Sequence, residues 1–149
     1  MDIALALNVM NELNNLSDLE AVFKSVRGVL GANKLFIFDM QTVEGLAQAA
    51  ITRDRLVYDN PEQLCVFSRT EYDYERQIQT TDYTIFRMID ETWQRSQAKI
   101  VLRAFAVQAV AALLQRSGFT VTHVLGANFE QYEVGVSRAP RVFFYARKA

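Results

Sequence analysis

The chain predicts an α/β fold whose small sheet core is interrupted by an antiparallel β insertion. Three observations lead there: a strand–helix–strand unit opens the chain, long half-polar strands fill its middle, and a helix with two strands closes it. With 149 residues there is room for one domain with one core. The expectation is a single domain over 1–149, with the core built from 1–50 and 104–149 and the insertion spanning 51–103.

The opening run Ile3 to Leu7 is apolar at successive positions, as in a strand of a parallel sheet with both faces buried. Ser17-Asp18-Leu19-Glu20 has the form of a capping box, in which hydroxyl and carboxylate each satisfy a free backbone N–H. Leu19, Val22, Phe23, Val26 and Leu30 then follow at helical spacing, and Gly31 supplies a stop. Lys34 to Asp39 is a second apolar strand ending in an acid. Strand, helix and strand form a βαβ unit.

In the middle, Leu64 to Tyr72, Ile78 to Ile89 and Thr92 to Leu102 are rich in Thr, Tyr, Phe, Val and Ile with polar residues threaded through. Turn signals fall at Asp73-Tyr74-Glu75 and Asp90-Glu91. Long half-polar strands with short turns predict an antiparallel meander with one face open. Val107, Val110, Leu113 and Leu114 then mark a helix closed by Gly118. Phe119 to Leu125 and Arg141 to Arg147 read as final strands. His123 alternates with Val121 and Leu125 and is expected to share their buried face.

Composition excludes several classes. Half the residues are hydrophobic, 22% are charged and the net charge is −1, so no basic surface calls for nucleic acid or anionic lipid. No apolar run reaches the ~20 residues needed to span a bilayer. Cys65 and His123 are the only cysteine and histidine, which removes intrachain disulfides and makes a Cys/His metal site improbable. A cytoplasmic protein with no nucleic-acid or membrane partner is the expectation.

Five segments, taken in order, carry a resemblance: Leu7-Asn8-Val9-Met10-Asn11-Glu12-Leu13, the helix Asp18 to Leu30, Leu35-Phe36-Ile37-Phe38-Asp39-Met40-Gln41-Thr42, Ser68-Arg69-Thr70-Glu71-Tyr72-Asp73, and Ala111 to Val121. Together they resemble the C-terminal half of class I S-adenosylmethionine-dependent methyltransferases of the small-molecule type, with their partial Rossmann-like sheet, and the resemblance implies a last strand antiparallel to its neighbours. The family grips its cofactor mainly through an N-terminal Gly-x-Gly-x-Gly turn, whose glycines allow close backbone approach, and an acid for the ribose hydroxyls. The six glycines of this chain are Gly28, Gly31, Gly45, Gly118, Gly126 and Gly135, and no two are separated by one residue. That turn is absent from these residues.

The resemblance implies a methyl transfer to a small-molecule acceptor if other sequence completes the fold, with S-adenosylmethionine as cofactor and only doubtful binding by this chain alone. The alternative is a non-catalytic ligand-binding or dimeric interaction module. Asn8 and Asn11, after the first strand, fall at the carboxyl edge where open α/β sheets bind ligands. Asn8 is the cofactor-side candidate and Asn11 an acceptor-side one, although asparagine also suits turns. Asp39 and Thr42 end the next strand on that edge, where an acid can orient or deprotonate an acceptor or cap the following segment. The inserted sheet covers the active site in the resembled enzymes. Its Arg69, Tyr72, Tyr83, Arg87, Arg95, Trp93 and Arg103 suit a planar or anionic acceptor, with Trp93 and Arg103 as the foremost substrate candidates. No residue is singled out as catalytic. In the complete fold the Ile3 strand has a neighbour on each side, and here one is missing. An apolar edge without charge or proline invites pairing, so a homodimer through this strand is expected.

Overall fold

The computed structural model describes residues 1–149, which divide into two compact units, Met1–Gly45 with Arg103–Ala149, and Leu46–Leu102. The elements in chain order are β1 (Ile3–Ala6), a 3-10 turn (Met10–Glu12), α1 (Leu16–Val29), β2 (Leu35–Gln41), α2 (Val43–Ala49), β3 (Asp54–Asn60), β4 (Leu64–Asp73), β5 (Ile78–Ile89), β6 (Thr92–Arg103), α3 (Val107–Arg116), β7 (Phe119–Gly126) and β8 (Arg141–Lys148).

The first unit is a four-stranded sheet in the order β1-β2-β8-β7. β1 and β2 run parallel, and β8 runs antiparallel to both of its neighbours, β2 and β7. One face of this sheet holds the core. Phe36 and Phe38 of β2 and Phe144 and Ala146 of β8 are fully buried there with Leu19 and Phe23 of α1 and Val110, Leu113 and Leu114 of α3. Phe38 stacks on Phe144 at 4.9 Å between centroids, and Phe23 meets Phe36 edge-on at 6.0 Å. Burial of each such ring stabilises the unit by ~1.5–3 kcal/mol. The opposite face carries Ile3, Leu5, Leu35, Ile37, Phe143 and Tyr145, all half-buried or exposed.

Several expectations are corrected. β1 is not buried on both faces: Ile3 and Leu5 are 53% and 64% exposed, because the strand lies at the sheet edge and the helices cover only the side of Ala4 and Ala6. The capping box does not form. Asn15, in extended conformation, is the N-cap and its Oδ1 accepts from the Asp18 N–H, which leaves Ser17 inside the helix. α1 ends at Val29 with Leu30 as C-cap, so Gly31 follows the helix where expected, but without the left-handed φ of a glycine stop. His123 is exposed rather than buried. A register shift between Val121 and His123 turns it onto the side of Tyr145, whose ring it meets edge-on. Gly118 does end α3 as expected: at φ +84° it occupies the left-handed region that favours glycine.

The second unit is an antiparallel meander in the order β3-β4-β5-β6. β4, β5 and β6 follow the three predicted strands, while β3 and the short helix α2 were not anticipated. One face is buried and polar, with Ser68, Thr70, Gln79 and Thr81. Thr70 and Thr81 bond to each other at 3.0 Å, and Gln79 Nε2 donates to the Leu46 carbonyl at 2.8 Å. Thr70, Thr81 and Gln79 therefore keep partners, as burial requires.

Candidate functional site

The carboxyl ends of β1 and β2 gather the polar residues of the first unit. Asp39 is buried on β2, at 1% exposure, yet carries a charge that needs compensation. Its Oδ1 accepts from the Asn8 backbone N–H at 2.7 Å, and its Oδ2 is ion-paired with Arg141 Nη2. Asn8 reaches this position with φ of +60°, a conformation asparagine tolerates better than most residues. Its side-chain Oδ1 in turn accepts from Arg141 Nη2. Asn8, Asp39 and Arg141 thus form one network. Arg141 Nε is buried and makes no hydrogen bond, so the cluster retains one unspent donor.

Asn11 plays a different part. Its Nδ2 donates to the carbonyls of Gln41 at 3.0 Å and Arg103 at 2.9 Å, while its Oδ1 accepts from the Gln41 N–H at 2.8 Å. Both sides of the amide are engaged within the fold, and the residue clamps the end of β2. Thr42 is committed likewise. Its hydroxyl donates to the Ala139 carbonyl at 2.8 Å and accepts from Gly45 N–H at 3.1 Å, opening α2 in the manner of an N-cap. Gly45 is required at that point, since a Cβ there would lie 1.9 Å from the Pro140 carbonyl oxygen.

Beside Thr42 is a cavity of about 170 Å³ lined in part by Glu44, Phe105, Gln108, Tyr132 and Val134. Burial above all, and then the Glu44 carboxylate, holds the Tyr132 hydroxyl above its usual pKa, with Arg138 acting in the other direction.

Of the residues singled out in the sequence, Asn8, Asn11, Asp39 and Thr42 converge on this edge, and Arg103 contributes its carbonyl to it. Trp93 belongs to the second unit, on β6, and is 42% exposed. Arg141, Tyr132 and Glu44 were missed. The signal for Arg141 was available: a final strand antiparallel to its neighbours begins where a parallel strand ends, and Arg141 pairs with Gln41.

No family sequence model and no curated protein sequence matches the chain. Solved structures do match its fold. An S-adenosylmethionine-dependent methyltransferase from Clostridium acetobutylicum superposes with a TM-score of 0.80 at 17% identity, over 98% of this chain and 57% of that one. The CcbJ methyltransferase from Streptomyces caelestis gives 0.76 at 11% identity, over 99% and 57%. CalS10 from Micromonospora echinaspora, an amino pentose methyltransferase solved with S-adenosylmethionine bound, gives 0.65 at 11% identity, over 99% and 58%. The likeness is one of fold: a class I, Rossmann-like methyltransferase fold, present in part. The chain spans a little over half the length of these structures.

Proposed function

We propose that this chain is the acceptor-side portion of an S-adenosylmethionine-dependent methyltransferase acting on a small molecule. The observation that carries this reading is a polar cluster at the carboxyl edge of a sheet whose fold superposes on such enzymes. Methyl transfer depends mainly on aligning donor and acceptor, so a scaffold that fixes one edge of the sheet contributes without a dedicated acid or base. Asp39 fits a positioning role better than that of a base, because both its oxygens are engaged by Asn8 and Arg141.

The residues present fit the cofactor only in part. The Arg141 guanidinium, about one-third exposed, carries a charge that suits a carboxylate such as the cofactor has. No pair of the six glycines has the spacing of the phosphate- or nucleoside-cradling turn, so tight cofactor binding requires sequence beyond these 149 residues. That same absence favours a second reading, a non-catalytic module that binds a small ligand. Titration calorimetry of the chain alone is expected to show no low-micromolar binding of S-adenosylmethionine. Fusion to the portion of the Clostridium methyltransferase that this chain does not cover, assayed for transfer of a labelled methyl group to small amines and alcohols, separates the readings. Transfer above either piece alone supports the enzyme. A folded, cofactor-binding fusion that is inert toward all acceptors supports the module.

The partner proposed is a second copy of the chain. β1 has only β2 beside it, and Ile3 and Leu5 along it and Leu7 just after it are exposed and uncharged. Antiparallel pairing of two β1 strands about a twofold axis satisfies their outward backbone groups and covers this apolar stripe. For location, the lone, unpaired Cys65 suits a reducing cytoplasm. No helix is long and apolar enough to cross a membrane.

A further inference from the structure

The exposed face of the second unit carries a dish of about 750 Å³, within the range of small-molecule sites. Strand register explains its lining. Asp54 pairs with Arg69 and Arg69 with Asp82 across β3, β4 and β5, and Lys99 of β6 bonds Asp82 at 3.5 Å. Arg69 Nε donates to Asp54 Oδ1 at 2.7 Å. This band of alternating charge satisfies itself.

The next band is different. Leu56 pairs with Phe67 and Phe67 with Thr84, giving an apolar platform beside a hydroxyl; Phe67 is 44% exposed and braced edge-on by Phe86 at 6.3 Å. Gln97 and Arg95 of β6 line the dish as well, as do Arg55 and Ser68, the chain neighbours of Leu56 and Phe67. Arg95 has neither a carboxylate nor a hydrogen-bond acceptor as partner. A flat apolar platform, neutral polar groups and two guanidinium groups without a carboxylate partner, Arg95 and Arg55, make a set complementary to a planar molecule bearing an anionic group.

We propose that this dish is a binding site for a small planar anion, an aryl carboxylate or aryl phosphate, with Arg95 holding the anionic group and Phe67 and Leu56 the flat body. The site lies wholly within the second unit and stands whether or not the chain takes part in methyl transfer.

Trp93 provides the readout. It is the only tryptophan, lies two residues from Arg95 on the same face of β6, and is partly exposed. Its fluorescence, with calorimetry alongside, is followed during titration of the whole chain with phenyl phosphate, benzoate, inorganic phosphate and phenol. Phenyl phosphate and benzoate are expected to bind saturably and more tightly than phosphate or phenol, since each of the latter lacks one half of the recognition. Arg95→Gln, an exposed change, is expected to weaken the two aryl anions by about tenfold or more, the worth of a charge-assisted hydrogen bond, and to leave phenol unchanged. Arg76→Gln, on the β4–β5 turn, serves as the control and should leave all four titrations unaltered. Phenol binding as tightly as phenyl phosphate would overturn the proposal. So would aryl-anion affinities unchanged in Arg95→Gln, or no saturable binding of either aryl anion by the native chain.

Discussion

Asp39 near the end of β2 and Arg141 at the start of β8 form an ion pair in which the carboxylate is buried and the guanidinium reaches in from the surface. The pair joins the carboxyl end of β2 to the start of β8, its neighbour in the sheet. Arg141 also lies 5.7 Å over the Phe143 ring, so one side chain serves charge, packing and the Asn8 turn together.

Removal of one partner is therefore expected to cost more than removal of both. Arg141→Met should destabilise the chain by ~3 kcal/mol, the lower end for a broken buried pair because the arginine is one-third exposed. The double variant Arg141→Met with Asp39→Asn should recover part of that loss. Urea denaturation followed by circular dichroism measures both, and equal stabilities of the single and double variants would contradict the coupling.

Asn11→Ala removes a donor and an acceptor that serve three backbone groups. A loss of about 2–3 kcal/mol is expected, since the Gln41 N–H loses its partner in a buried setting. Asn11→Asp should also destabilise, as a carboxylate cannot donate to the Gln41 and Arg103 carbonyls. Thermal melts of the two variants check this.

The helix-start assignment is tested by contrast between neighbours. Asn15→Ala should cost about 1 kcal/mol through loss of the bond to Asp18 N–H, whereas Ser17→Ala inside the helix should be close to neutral or slightly favourable. The reverse ranking in a denaturation series would restore the capping box read from the sequence.

The proposed dimer predicts a simple outcome for Leu5→Lys. Because Leu5 is largely exposed, the change should leave the fold intact and place a charge on the pairing edge. Light scattering at tens of micromolar is expected to give a dimer for the native chain and a monomer for the variant. A native monomer at that concentration overturns the pairing.

The elements legible in the sequence were those whose signal is local. β2 showed its apolar run, though it continues past Asp39 to Gln41, α3 its stripe and Gly118, and β4 to β6 their length and turn residues. The elements missed gave weak local signals: β3 is exposed at every position but its last, so no alternation marks it, and α2 has only seven residues. The candidate site was legible by position and not by role. Asn8, Asn11, Asp39 and Thr42 could be assigned to the carboxyl edge, but which amide clamps backbone and which faces a ligand depends on partners distant in the chain.

By itself the sequence determined the order and kind of the elements other than β3 and α2, and the lack of a glycine cradle, because periodicity, turn chemistry and residue identity are properties of neighbours along the chain. Only the tertiary structure decided that Ile3 and Leu5 lie exposed at an edge, that Arg141 neutralises Asp39, that His123 turns outward at a bulge, and that Arg95 is left uncompensated beside Phe67. Burial and charge compensation are set by which strand lies beside which and in what register. A run of apolar residues reads the same whether one neighbour covers it or two.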